Sequence, residues 1–288
     1  KIFEEISALF AQNALKPLPY RAFSHDEIST AFRLMQSAGH IGKILVTPPA
    51  RGREAVLQGR RPDFRVLPGT YLVIGGIGGF GLEAANWLAE KGASHLALAT
   101  RSGTLDDDTR DAIARWQEMG IEASVHACDV TNETQLRALL ADLRKVAPLK
   151  GIVHAAMVLD DALISNLSRE RNRPVVHTKV EGAVLLDKLT ERDDLDLFLL
   201  FSSATTMVGN PGQSNYVAAN GYLEGLARAR RLRGKPALAV GFGAIADTGF
   251  LARNTQVNEL LSKRIGKTAL KARDALRFVE EYLLATPA

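Results

Sequence analysis

The chain has 288 residues, 46 % of them hydrophobic and 24 % charged, enough apolar material for one large domain with an appendage. Lysine and arginine outnumber aspartate and glutamate by 36 to 32, a net charge of +4, and with no basic tail or base-reading motif nucleic acid is not an expected partner. The lone cysteine, Cys128, rules out an internal disulfide framework and fits a reducing, cytoplasmic setting; the six histidines lack metal-ligand spacing, so no metal is expected.

The chain starts at Lys1 without a leader, as a piece of a longer polypeptide would, and no apolar run reaches the about 18 residues of a membrane span. "IFEEISALF" has apolar positions at helical spacing, "PLPYRAFS" reads as extended, "DEISTAFRLMQSAG" as a helix and "GKILVT" as a strand. These first 47 residues are too few to bury a core of their own. Residues 48–66, within "PPARGREAVLQGRRPDFRVLPG", are rich in Pro, Gly and Arg and read as a linker.

From residue 67 strand and helix alternate. The expected strands are "TYLVIGG", "HLALAT", "ASVHACD", "GIVHAA", "LFLLFSS" and "ALAVGFG". Between them lie helical stretches: one running through Trp87, one over 106–120 with acidic residues first and Gly last, and one opened by Thr131 with Thr134 and Gln135. Repeated β-α-β units imply an α/β fold of the Rossmann type: a doubly wound parallel sheet, with ligands beyond the carboxyl ends of its strands. The first 47 residues are then a small amino-terminal appendage.

"VIGGIGGFG" joins the first of these strands to its helix. Five glycines in seven residues allow a tight turn and let the backbone approach a pyrophosphate, over a helix end with unpaired amides. The next strand ends in Arg101 where an NAD enzyme would place a carboxylate, so a 2′-phosphate and hence NADPH is the expected ligand. Asp129, after the third strand, is either an adenine contact or a helix cap.

Ser203 closes a strand and Tyr216 opens a helix 13 residues later. A carbonyl accepting hydride needs a proton donor and a hydrogen bond at its oxygen. A tyrosine can donate, but its pKa near 10 asks for a nearby cation. One such charge about 4 Å away, at an effective dielectric near 20, is worth roughly 4 kcal/mol, or about 3 pK units. One turn after Tyr216 stands Asn220, which carries no charge. Lys179 in "VVHTKVEGAVLLDKL" is the candidate, at the edge of an apolar stripe formed by residues 176, 180, 184 and 185. "ARARRLRGK" is basic and reads either as a solvated helix end or as a docking patch, with Arg230 and Arg231 central to it.

The set Lys179, Ser203, Tyr216 and Asn220, with "GGIGGFG", "HAAMVLDD" and "FSSATTMVGNPGQSNYVAANGYLEGLA", resembles the ketoreductase domain of polyketide synthases and of animal-type fatty acid synthase, within the short-chain dehydrogenase/reductase superfamily. Most of that superfamily has Tyr-x-x-x-Lys; the ketoreductase branch exchanges the Lys and Asn positions, as here. The resemblance covers residues 67 to about 286, within a catalytic domain taken as 67–288. It implies that Tyr216 donates the proton, Ser203 binds the ketone oxygen, Lys179 lowers the tyrosine pKa and holds the nicotinamide ribose, and Asn220 orders a relay water. It implies NADPH contacts at Gly75, Gly76, Ile77, Gly78, Gly79, Phe80 and Gly81, at Arg101 and Ser102, at Asp129 and Val130, at His154, Ala155 and Ala156, and at Lys179 and Tyr216. The implied substrate is a β-ketoacyl chain on the phosphopantetheine of an acyl carrier protein. "LDD" at 159–161, with Asp161, is similar to the signature of B-type domains, which give the 3R alcohol, and Val208 stands where A-type domains carry tryptophan. Met157 replaces a more usual glycine. Residues 1–47 resemble the end of the enoylreductase domain that precedes the ketoreductase in fully reducing synthases, which implies that domain as a neighbour. A freestanding short-chain dehydrogenase and a catalytically silent scaffold are the other readings.

Overall fold

A computed structural model describes residues 2–12, 14–16, 18–47, 64–249 and 269–285, in two compact units, Lys1–Asp63 and Phe64–Ala288. Most of the stretch read as a linker, residues 48–63, lies outside the described residues.

In the first unit, helix α1 (Ile2–Ala11) is followed by β1 (Tyr20–Ser24), α2 (Ile28–Gln36) and β2 (Lys43–Thr47). The two strands pair in parallel from Tyr20 against Lys43 to Ser24 against Thr47. Phe23 and Ala31 are its buried apolar side chains among the described residues, while Ile2, Phe3, Phe32 and Ile41 are exposed. A two-stranded parallel sheet with so little burial has no core of its own.

The second unit contains six parallel strands: β3 (Thr70–Ile74), β4 (His95–Thr100), β5 (Glu122–Ala127), β6 (Leu149–His154), β7 (Leu197–Ser203) and β8 (Leu238–Phe242). Their spatial order is β5-β4-β3-β6-β7-β8, so the direction of winding reverses between β3 and β6. Each of the six expected strands is present.

The sheet is covered on both faces because alternate residues point to opposite sides. Tyr71, Val73, Leu96 and Leu98 pack on one side with Leu82, Ala85 and Leu88 of α3 (Gly79–Lys91) and Trp116 of α4 (Asp107–Glu118). Leu72, Ile74, Ala97 and Ala99 pack on the other with Leu136, Leu140 and Leu143 of α5 (Glu133–Val146). Phe64 stacks on Trp87 with ring centroids 5.6 Å apart, and the Val66 amide donates to Lys91 O, so these two linker-end residues pack with this unit.

Helix α5 is capped by Asn132, whose Oδ1 accepts from the Gln135 amide at 3.1 Å. That corrects the reading of Thr131 as its opening residue: Thr131 is taken up in a turn with Asp129. Helix α6 (Arg169–Val176), a π turn over residues 177–181 and α7 (Gly182–Leu189) form one rod. The short α8 (Thr205–Val208) and the long α9 (Ser214–Leu232) follow β7.

Candidate active site

The crevice where winding reverses lies at the carboxyl ends of β3 and β6, where such sheets bind ligands. Gly75 turns out of β3 with φ 78°, and its amide donates to Ala99 O at 2.8 Å. A Cβ on Gly75 would lie 2.8 Å from the Cα of Ala156, and one on Gly81 2.0 Å from Gly75 O. The loop is therefore wound too tightly for any side chain at those two positions, and it touches the segment that follows β6. Gly78 stands at the N-cap of α3 with no side chain to cap it, and while its own amide donates to Thr109 Oγ1 at 3.2 Å, the amides of the first helical turn are left to an anion. Phe80 contributes backbone only: its ring packs with Phe201 and Phe242 at centroid distances of 4.8 and 4.7 Å. Ile77 likewise packs on the core.

Arg101 and Ser102 are exposed just beyond β4, and Ser102 Oγ accepts from the Thr104 amide at 3.2 Å. Asp129 is half-buried beyond β5. Burial alone would raise its pKa, but the amide and hydroxyl of Thr131, with the charges of Arg101 and His177, hold it below the ordinary carboxylate value. The cap role open to Asp129 in the sequence belongs to Asn132, and Asp129 instead forms a turn on Thr131. Val130 is buried against Gly182.

The residues expected to form a reaction centre meet at the carboxyl end of β7. Ser203 Oγ accepts from the Thr205 amide at 3.3 Å and from its hydroxyl at 2.9 Å, which leaves the serine proton free to donate outward. Asn220 Nδ2 donates to Tyr216 O at 2.8 Å, and its buried Oδ1 has no partner. The Tyr216 hydroxyl lies 3.8 Å from Met157 Sδ. Lys179 Nζ sits 5.3 Å from the centre of the Tyr216 ring and donates to Phe201 O at 2.7 Å. A cation from a separate helix thus reaches the tyrosine.

Two expectations about that lysine need correction. It is not at the edge of a stripe formed by residues 176, 180, 184 and 185. The buried positions are 175, 179, 182, 183, 185 and 186, so Lys179 lies in the middle of the packed face. Nor is the phenol itself made acidic. Burial pushes the Lys179 ammonium down to about 7. Burial, with the charge of Asp161, raises the Tyr216 hydroxyl above its ordinary value, against the weaker pull of Asn220 and Ser203. A single carbonyl does not compensate an ammonium for lost water.

His154 is fully buried, and its Nε2 is 3.2 Å from Lys179 O. Burial and then the Lys179 charge lower its pKa to about 4. Ala155 and Ala156 follow it, with the Ala155 amide on Ile74 O at 2.9 Å. Asp161 Oδ2 accepts from Gln213 Nε2 at 2.9 Å, while Asp160 pairs with Arg171 and its carbonyl accepts from Asn215 Nδ2.

Residues that the sequence reading missed hold this centre. Glu224 Oε1 accepts from Ser202 Oγ and Thr206 Oγ1, both at 2.8 Å, and so ties the segment around Ser203 to α9. Its signal was present: Tyr216, Asn220 and Glu224 repeat every fourth residue on one helix face. The basic patch is also revised. Arg230 is fully buried, paired with Asp187, donating to Pro236 O and lying 4.2 Å over the Phe198 ring, while Arg231 donates to Ala237 O. Arg230 falls on the packed side of α9 with Leu223 and Ala227, so it is not available for docking.

The family described as "KR domain" matches residues 69–247, and that described as "Zinc-binding dehydrogenase" matches residues 1–46. Among similar curated proteins, "Highly reducing polyketide synthase 40" of Fusarium mangiferae is 37% identical over 259 residues, which is 89% of this chain and 10% of that protein. The chain therefore spans about a tenth of the length of the curated relatives it matches. A solved A1-type ketoreductase superposes with a TM-score of 0.72 at 36% identity, over 78% of this chain and 46% of that one. A short-chain dehydrogenase from Burkholderia cenocepacia, solved in complex with NADP, gives a TM-score of 0.64 at 21% identity, over 75% of this chain and 90% of the other, a likeness of fold.

Proposed function

Because the chain belongs to the KR domain family, we propose that it reduces the β-ketone of an acyl thioester carried on a phosphopantetheinyl acyl carrier protein, as the ketoreductase of a fully reducing synthase. Residues 67–288 are then the catalytic domain, 48–66 a linker and 1–47 the remnant of an enoylreductase domain, in a cytoplasmic parent enzyme. The match of residues 1–46 to a second dehydrogenase family weighs against a freestanding enzyme.

NADPH is the cofactor in this reading, and it supplies hydride when bound. The chain fits it at the uncapped amino end of α3 and in the cradle that a Cβ on Gly75 or Gly81 would fill. Residues 75–81 would hold the pyrophosphate, Arg101 and Ser102 the 2′-phosphate, Asp129 and Val130 the adenine, and Ala155, Ala156 and Lys179 the nicotinamide end.

The side chains divide the remaining work. Ser203, its oxygen already engaged by Thr205, donates to the ketone oxygen. Tyr216, kept protonated by burial, gives its proton as negative charge develops there. The Lys179 ammonium beside the ring stabilises the phenolate left behind, and the free Oδ1 of Asn220 receives the water that restores the proton. The observation that carries this reading is the approach of Lys179 to Tyr216.

NADPH oxidation with a β-ketoacyl N-acetylcysteamine thioester tests it. Tyr216→Phe is expected to lose at least about 100-fold in turnover and to keep cofactor binding. A wild-type chain that binds NADPH and turns over no β-ketoacyl thioester overturns the reading. The 3R alcohol is the proposed product, supported by Asp161 three-dimensionally tied to Gln213 and by Val208 at the A-type tryptophan position. A mainly 3S product on chiral chromatography removes that part alone.

A further inference from the structure

The rod that carries Lys179 is interrupted at the lysine. Between α6 and α7 the backbone widens into a π turn, where the Gly182 amide reaches back to both His177 O and Lys179 O. One residue added to a helical turn rotates everything after it by about 100°. Lys179 and the Gly182, Ala183 and Leu186 face on either side of this turn are buried in the same core.

Such a turn leaves carbonyls poorly matched to amides and needs outside support. The Lys179 carbonyl, which shares the Gly182 amide with His177, gains a second donor from a side chain of another element. A carbonyl can only accept, so the 3.2 Å contact requires the proton on His154 Nε2, and Nδ1 is left buried without a partner. The ring lies close to the backbone of the turn: a Cβ added at Gly182 would come 2.9 Å from Val130 Cγ1 and 3.4 Å from His154 Cε1. The far end of the lysine is fixed on Phe201 O.

We infer that His154 is a positioning residue for the ketone reduction, holding the π turn by the Lys179 carbonyl and so setting where the ammonium meets Tyr216. This rests on the function proposed above. It assigns the histidine to the lysine's backbone rather than to the cofactor. Burial and the neighbouring charge keep His154 neutral above about pH 4, so the bond persists wherever the enzyme works.

The test compares His154→Met, which keeps bulk and removes the donor, with His154→Gln, which keeps an N–H, in the whole 288-residue chain. Two quantities are read: turnover, and the pH midpoint of Lys179 acylation followed by mass spectrometry, which needs no enzymatic activity. In the wild type the midpoint is expected near the depressed value of about 7. His154→Met should move it toward the ordinary 10.5 by about one pH unit or more and lower turnover by about tenfold or more. His154→Gln should stay close to wild type in both. A Met variant with an unchanged midpoint overturns the inference, whatever its turnover or melting temperature, and so do Met and Gln variants that behave alike. Should the Met variant not fold, Gly182→Ala, which pushes the turn off Val130 and His154, must shift the midpoint in the same direction or the inference fails. A shifted midpoint in a chain that reduces no β-ketoacyl thioester would support the positioning role and refute the proposed function separately.

Discussion

Replacing Lys179 by methionine should make the protein more stable while abolishing its chemistry. A fall of the ammonium pKa from 10.5 to about 7 corresponds to roughly 5 kcal/mol spent on holding a buried charge, at ~1.4 kcal/mol per unit. Leaving Phe201 O without its donor offsets about 1–2 kcal/mol of that. The net expectation is a gain of about 3–4 kcal/mol at pH 6.5, read by urea denaturation of both proteins. The pH dependence is the sharper part. The folded-state pKa lies below the unfolded one, so between about pH 7 and 10.5 the unfolded chain binds more protons. Wild-type stability therefore rises with pH across that window, and below it the full penalty is present. The methionine variant has no such group, so its advantage should shrink by about 3 kcal/mol between pH 7 and 9.5. A variant that is less stable than wild type at pH 6.5, or whose difference from wild type does not change with pH, would refute the claim that this lysine is buried as a charge.

Three other substitutions probe separate parts of the structure. Gly81→Ala places a Cβ 2.0 Å from Gly75 O, so NADPH binding, followed by nucleotide fluorescence, should weaken at least about tenfold; unchanged affinity would mean that the loop is not the cradle. Asp187→Ala strands the Arg230 guanidinium in the core and should cost about 3–5 kcal/mol in urea, against less than about 1 kcal/mol for Asp142→Ala, whose pair with Lys145 is exposed. Arg101→Glu should reverse the cofactor preference, with the ratio of kcat/KM for NADPH over NADH falling at least about tenfold; an unchanged ratio would free Arg101 of any role at a 2′-phosphate.

Local pattern made much of the fold legible. Strands such as Thr70–Ile74 and Leu197–Ser203 are short apolar runs buried along their whole length, and the glycines around 75–81 mark a turn that no other residue could make. The same local reasoning failed where it had to choose which face of a helix is packed. Counting through 176, 180 and 184 put Lys179 at an edge, whereas the packed stripe runs through 175, 179, 182, 183 and 186, the same helical spacing taken on a neighbouring face, with the lysine at its centre. It failed again for Arg230, which composition placed in a solvated basic run and helix packing placed in the core beside Asp187 and Phe198.

The order of residues along the chain was enough to determine the alternation of strand and helix and the glycine turn, because each depends on neighbours a few positions away. What surrounds the individual side chains was decided only by the folded molecule. The partner of the lysine ammonium, the histidine under its carbonyl and the ion pair that buries Arg230 join residues 22, 25 and 43 positions apart. Charge state follows from such surroundings, since burial and opposing dipoles set the pKa of an ammonium or a phenol, and neither is a property of sequence spacing.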